Sequence, residues 1–137
     1  MKTLIISSFP GTGKTHFCEK YEGCGIELEC WEYSKSDNFP NNIVLDIKSF
    51  IGKIKYIFIS TNNIVLDKLI EEEIGFQIYY PSPDQKEDYM NRYVKRKSPY
   101  DFIGVMYVHW DDWLDVASKY GGTVLKQGEH LSDKILK

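Results

Sequence analysis

Short apolar runs alternate with amphipathic segments along the whole chain. Residues 2–8 (KTLIISS) are β-branched and apolar and stop at Pro10-Gly11, which predicts a buried strand. Residues 13–22 predict a helix closed by Gly23. Residues 26–31 alternate apolar and polar side chains and predict a second strand, with Glu29 inside it. After a polar connection over 34–42, broken by Pro40, Ile43, Val44, Ile47, Phe50 and Ile51 recur at helical spacing up to Gly52.

Residues 54–60 (IKYIFIS) carry the clearest buried-strand pattern. A helix bearing Ile64, Leu66, Leu69 and Ile70 is expected to end at Gly75, and 76–80 is a further strand. Ser82-Pro83 predicts a helix start, with Ser82 as N-cap and Gln85 spaced for a capping box. Ser98-Pro99 repeats the device before the longest predicted helix. There Ile103, Met106, Tyr107, Trp110, Trp113, Leu114 and Ala117 form one apolar stripe ending at Gly121-Gly122. A short strand at 123–126 and a polar tail follow. Strands alternating with helices imply an α/β fold: a five-stranded parallel sheet covered on both faces.

Composition narrows the classes. A length of 137 residues suits one domain, and 42% hydrophobic residues suffice for a core. A net charge of -3 argues against holding nucleic acid through bulk charge, though a site for one nucleotide or strand end stays open. No stretch approaches membrane-spanning length and no signal-peptide pattern is present, so a cytoplasmic protein away from membranes is expected. Cys18, Cys24 and Cys30 are expected as reduced thiols. They lack a Cys-x-x-Cys pair, so a zinc site with His16 is not expected.

The chemistry concentrates in Ser8-Phe9-Pro10-Gly11-Thr12-Gly13-Lys14-Thr15, which fits G-x-x-x-x-G-K-[ST] except for Ser8 in place of the first glycine. The segment leaves an apolar strand and opens a helix. Gly11 and Gly13 let backbone N–H groups turn inward around an anion, and the helix N-terminus adds partial positive charge. The expected nucleotide-contacting set is Pro10, Gly11, Thr12, Gly13, Lys14, Thr15 and His16. Lys14 bridges the β- and γ-phosphates of ATP, and the Thr15 hydroxyl ligates Mg²⁺.

The strand at 54–60 ends without a Walker-B carboxylate. Kinases of small molecules instead place a carboxylate after the second strand to orient the acceptor. Glu29, Glu32 and Asp37 stand there. Glu32 is the preferred base, with a solvated loop carboxylate as its plainer reading. Arg92 and Arg96 share one face of the helix opened by Pro83 and are expected to close over the triphosphate as part of a lid at about 91–101. The plainer reading pairs Asp88 with Arg92 at i,i+4.

These residues resemble the P-loop nucleoside and nucleotide kinase superfamily, and more narrowly small kinase-like proteins of bacteriophages. F-P-G-T-G-K-T, Asp37 to Asn42, Tyr80-Pro81, Tyr89 to Tyr93, Phe102-Ile103 and Trp110 to Trp113 carry the likeness. The resemblance implies a three-layer sheet in 2-3-1-4-5 order and transfer of the ATP γ-phosphoryl group to a nucleotide, nucleoside or similar acceptor. The acceptor region is then a reduced segment over about 31–51. Such relatives tend to show Asp-x-Asp after the second strand, where this chain has Glu29 and Glu32. Two alternatives accompany this expectation: a kinase of DNA or RNA ends or modified bases, and a nucleotide-binding regulator without turnover. Trp31, Tyr33 and Phe39 are candidates for stacking on an acceptor base or for anchoring loops. Trp110 and Trp113 are expected in the core, His109 as structural or exposed, and His130 near the adenine. The oligomeric state is left open.

Overall fold

The computed structural model describes residues 2–13, 17, 19, 20 and 25–135, with Ser132 described by its backbone alone. Five strands, β1 (Leu4–Ser8), β2 (Gly25–Leu28), β3 (Tyr56–Ser60), β4 (Gln77–Pro81) and β5 (Thr123–Leu125), form one all-parallel sheet. Its order is β2-β3-β1-β4-β5, as expected. β1 sits between β3 and β4, with Ser8 level with Ser60 on one side and Tyr79 on the other.

A strand buried on both faces sends alternate residues to opposite sides. Ile5, Ile57, Ile59, Ile78 and Tyr80 belong to one apolar cluster, while Ile6, Tyr56, Phe58 and Tyr79 belong to a second. The first is covered by α2 (Asn41–Phe50), α3 (Asn63–Glu71), α4 (Lys86–Lys95), α5 (Tyr100–Val108) and α6 (Trp110–Lys119), through Ile43, Leu66, Tyr89, Met106 and Leu114 among others. The second is closed by Phe17 and by Leu131 of α7 (Leu131–Ile135). Helices thus lie on both faces of a mixed α/β structure. Among the described residues, no helix is long and apolar enough to cross a membrane.

Several local expectations are corrected. β2 stops at Leu28, and Cys30–Tyr33 form a short helix, α1, so Glu29 stands just after the strand rather than within it. The Cys30 N–H donates to Ser60 Oγ at 3.3 Å, which turns the chain across the end of β3. α3 ends at Glu71, ahead of Gly75, because Glu73 takes a left-handed φ of 59°. Its start is capped by Asn62, whose side chain accepts from the N–H groups of Ile64 and Val65.

Gln85 departs from its expected part in a capping box. It lies in a 3₁₀ turn (Pro83–Gln85), is buried, and donates to Ser82 Oγ and to the Leu125 carbonyl at 2.7 Å. It thereby ties β5 to the turn after β4. The longest predicted helix is two helices, α5 and α6, that meet at His109. Met106, Trp110 and Leu114 are buried at i,i+4 spacing across the break, while Tyr107 and Trp113, each one position off that row, are exposed. Trp113 is therefore not core. The tail also folds, since Leu131 on α7 is fully buried.

Candidate functional site

The turn after β1 lies at the carboxyl edge of the sheet, where crossover connections leave a crevice. Ser8 is the last residue of β1, and the positive φ values fall on Gly11 (92°) and Gly13 (101°). Serine in place of the motif's first glycine therefore demands no left-handed backbone. Phe9 anchors the turn from below: it is buried edge-on to Trp110 at 5.3 Å and to Tyr89 at 6.3 Å.

The carbonyl groups of residues 9–13 are all hydrogen-bonded. Phe9 O accepts from the Thr12 hydroxyl at 2.8 Å. Pro10 O accepts from the Tyr93 hydroxyl at 2.7 Å, and Gly11 O from Arg92 Nη1 at 2.7 Å. Thr12 O accepts from the Leu131 N–H at 3.0 Å, and Gly13 O from the Phe17 N–H at 2.9 Å. The last bond opens a helix that Phe17, Glu19 and Lys20 continue among the described residues.

In a trans peptide the carbonyl and the following N–H point in opposite directions. Carbonyls drawn toward α4 and α7 therefore turn the N–H groups of Gly11 and Gly13 the other way. Gly11 also has no room for a side chain, since a Cβ there would stand 3.0 Å from Tyr89 Cδ2 and 3.1 Å from Tyr93 Cε1. At Gly13 a Cβ would meet the His130 ring at 3.4 Å.

The turn opens into a cleft of about 1330 Å³. Pro10, Gly11 and Gly13 line it together with Arg92 and Arg96, Glu29 and Trp31 after β2, Ser60 at the end of β3, and His130 and Asp133 around the start of α7. The α5–α6 side supplies Asp101, Phe102, Val105, Met106 and Trp113. Arg92 and Arg96 thus reach the same cleft as the loop.

Arg92 makes the expected i,i+4 pair with Asp88 and also holds the loop. Nη1 holds the Gly11 carbonyl, Nη2 pairs with Asp88 at 3.0 Å, and the guanidinium lies 4.3 Å from the Tyr89 ring centre. Arg96 donates from Nε to Ser98 Oγ and stacks over Tyr93 and Phe102. Burial pushes the Tyr89 hydroxyl up to about 12, with the Arg92 charge opposing it, and burial raises Tyr93 further. The Tyr93 phenol stays neutral, as a hydroxyl donor to the Pro10 carbonyl must.

Glu29, rather than the preferred Glu32, is the carboxylate after β2 that lines the cleft. Glu32 is exposed on α1, and Asp37 is exposed on the following turn. Tyr33 donates to Asp46 at 2.7 Å, which together with burial lifts its hydroxyl to about 12, and Phe39 packs against the core. Of the aromatic trio only Trp31 meets the cleft. Lys14, Thr15 and His16 lie outside the described residues, as do Cys18 and Cys24. Cys30 is buried, with its thiol 3.5 Å from the Ser60 carbonyl.

Sequence reasoning missed Tyr93, Trp113 and Leu131. Tyr89 and Tyr93 at i,i+4 were a visible signal for a buried face of α4. Nothing local announced that this face seats the loop. No family model matches the chain, and no curated protein matches it.

Proposed function

We propose that the chain is a P-loop phosphotransferase that takes the γ-phosphoryl group from Mg-ATP to a nucleoside, nucleotide or similar hydroxyl acceptor. One observation carries the reading: the carbonyls of residues 9–13 are all engaged elsewhere. That removes partial negative charge from the turn and leaves backbone donors for an anion. The sheet order, with the motif on the central strand, supports the same reading. Lys14 and the Thr15 hydroxyl are the motif's partners for the triphosphate and for Mg²⁺, which when bound would neutralise charge on the phosphate oxygens.

Within this reading, Arg92 is a positioning residue, because its guanidinium is committed to Gly11 and Asp88. Arg96 lines the cleft with its Nε held by Ser98, and is the candidate for meeting charge on the transferred group. The acceptor hydroxyl oxygen forms a bond to the γ-phosphorus while the bond from that phosphorus to the β–γ bridging oxygen breaks. The bridging oxygen keeps the electron pair and departs on ADP, and the hydroxyl proton passes to a carboxylate, for which Glu29 is the cleft's candidate.

Titration with Mg-ATP tests the site. Wild-type protein is expected to bind it, and Lys14→Ala to weaken binding by roughly tenfold or more, in line with loss of a charged hydrogen bond of about 1.5–3 kcal/mol. Equal binding by both proteins would remove the phosphate loop from the account.

A further inference from the structure

Helix α5 reads YDFIGVMYV, with Asp101 as its single charged residue. A helix that is apolar on all sides needs cover on all sides. The domain covers one side: Met106 is buried, and Phe102 and Ile103 pack on the core. Asp101 and Val105 line the cleft. On the outer side Tyr100, Gly104 and Val108 stand at i, i+4 and i+8 and form one row. Tyr100 is 93% exposed and Val108 72%. Tyr107 borders the row, with Lys86 Nζ 3.8 Å from its ring centre. A Cβ at Gly104 would meet no atom within 4 Å, and its φ is not positive. Glycine is the poorest helix former after proline, and no neighbour among the described residues requires it here. A bare glycine in such a row permits the close approach of another backbone.

The charges at the two ends of the row say which backbone. Lys95, Arg96 and Lys97 are exposed just before α5, and Asp111, Asp112 and Asp115 are exposed just after it on α6. Lys95, Lys97, Asp111 and Asp115 form no ion pair among the described residues. The dipole of α5 has the same sense, positive at its Tyr100 end and negative at its Val108 end. This surface is its own complement when turned end for end. We infer that the outer face of α5 is the interface of a homodimer, in which a second copy of the chain lays its α5 antiparallel along the Tyr100–Gly104–Val108 row. Gly104 of both copies then lies at the two-fold axis, Tyr100 of one copy meets Val108 of the other, and each basic run faces an acidic run. One helix face per copy is a small interface, so the dimer forms at micromolar concentrations and above. The pairing is independent of what the cleft binds.

Sedimentation equilibrium of the full chain, from micromolar to near-millimolar concentration, tests this. The average mass should climb from the monomer value toward twice that value, and less so in high salt. Gly104→Arg, whose side chain meets open space in the monomer, should weaken association by roughly tenfold or more, because two cations would meet at the axis. Lys95→Glu with Lys97→Glu, and Asp111→Lys with Asp115→Lys, should each stay monomeric alone. Mixed in equal amounts they should dimerise, since opposite charges again meet at both ends. Circular dichroism checks that both reversed variants keep their helices, and Gly104→Arg decides the matter if either does not. A wild-type protein that stays monomeric or grows beyond a dimer, an undiminished dimer in Gly104→Arg, or a mixture of folded variants that stays monomeric would overturn the inference.

Discussion

Arg92 Nη1 lies 2.7 Å from the carbonyl oxygen of Gly11, a residue 81 positions earlier in the chain. One residue along each segment, the Tyr93 hydroxyl holds the Pro10 carbonyl at the same distance. Helix α4 therefore grips two successive peptides of the turn after β1. Fixing those carbonyls fixes where the next N–H groups point. The helix expected to act as a moving lid is, in this structure, also the seat of the loop.

Removing either grip should loosen the loop without unfolding the domain. Tyr93→Phe leaves the ring in place and deletes one hydrogen bond, at a stability cost of about 0.5–1.5 kcal/mol. Arg92→Ala should weaken Mg-ATP binding by roughly tenfold, and Arg92→Lys should restore part of it through a single donor. Arg96→Ala should instead lower kcat with little change in ATP affinity. Titration and steady-state kinetics on the three proteins separate these outcomes. Identical profiles for Arg92→Ala and Arg96→Ala would contradict the division of roles.

Gly11→Ala is expected to be more damaging than Gly13→Ala. Both glycines hold a left-handed φ, which costs other residues on the order of 1 kcal/mol. At Gly11 the new methyl also meets two tyrosine rings at 3.0 and 3.1 Å, whereas at Gly13 its nearest neighbour is the His130 side chain at 3.4 Å. Chemical denaturation should place Gly11→Ala below Gly13→Ala by more than the experimental scatter. The reverse order would mean that α4 does not pack on the turn as described.

Much of this framework was legible in the residues. β1 and β3 are buried on both faces, so their runs are apolar without alternation, and short apolar runs next to Pro10-Gly11 and Asn62 identify themselves. What stayed hidden depends on contacts distant in sequence. The pattern at 100–117 reads as one stripe, and neither the turn at His109 nor the exposure of Trp113 at the stripe's edge is marked by a glycine or proline there. Glu29 and Glu32 look equivalent until the Ser60 hydroxyl receives the Cys30 N–H and bends the chain. Arg92 and Tyr93 carry no local sign of which carbonyls they will meet.

Trp110 should be the most costly single truncation in the α4–α6 layer. It is buried, packs edge-on to Phe9 and Tyr89, and donates from Nε1 to the Pro83 carbonyl at 3.1 Å. Trp110→Ala should lose about 3–5 kcal/mol, as large buried side chains do. Trp113→Ala, on the exposed side of the same helix, should lose less than half of that. Urea unfolding of both variants checks the contrast, and equal losses would refute the assignment of Trp110 to the core.

Alkaline pH should destabilise the fold. Burial holds Tyr33 and Tyr89 up to about 12, helped at Tyr33 by its bond to Asp46, and the hydrogen bond to Asp67 holds Tyr120 up to about 12, above the value of about 10 for an unfolded tyrosine. Between those values the unfolded chain has released protons that the folded chain keeps, so stability falls as pH rises. The contribution is complete below pH 10 and is lost through about pH 12. Denaturation midpoints measured from pH 8 to 12 should stay level and then drop. A rise across that window would contradict the burial of Tyr33 and Tyr89 and the bond from Tyr120 to Asp67.

The most direct measurement is transfer of label from γ-³²P-ATP in the presence of Mg²⁺ and a panel of nucleosides and monophosphates, with Lys14→Ala alongside. The account predicts label on an acceptor, formed by the wild-type protein and lost in Lys14→Ala. Labelled acceptor formed equally well without Lys14, or no labelled acceptor from wild-type protein that binds Mg-ATP, would contradict it.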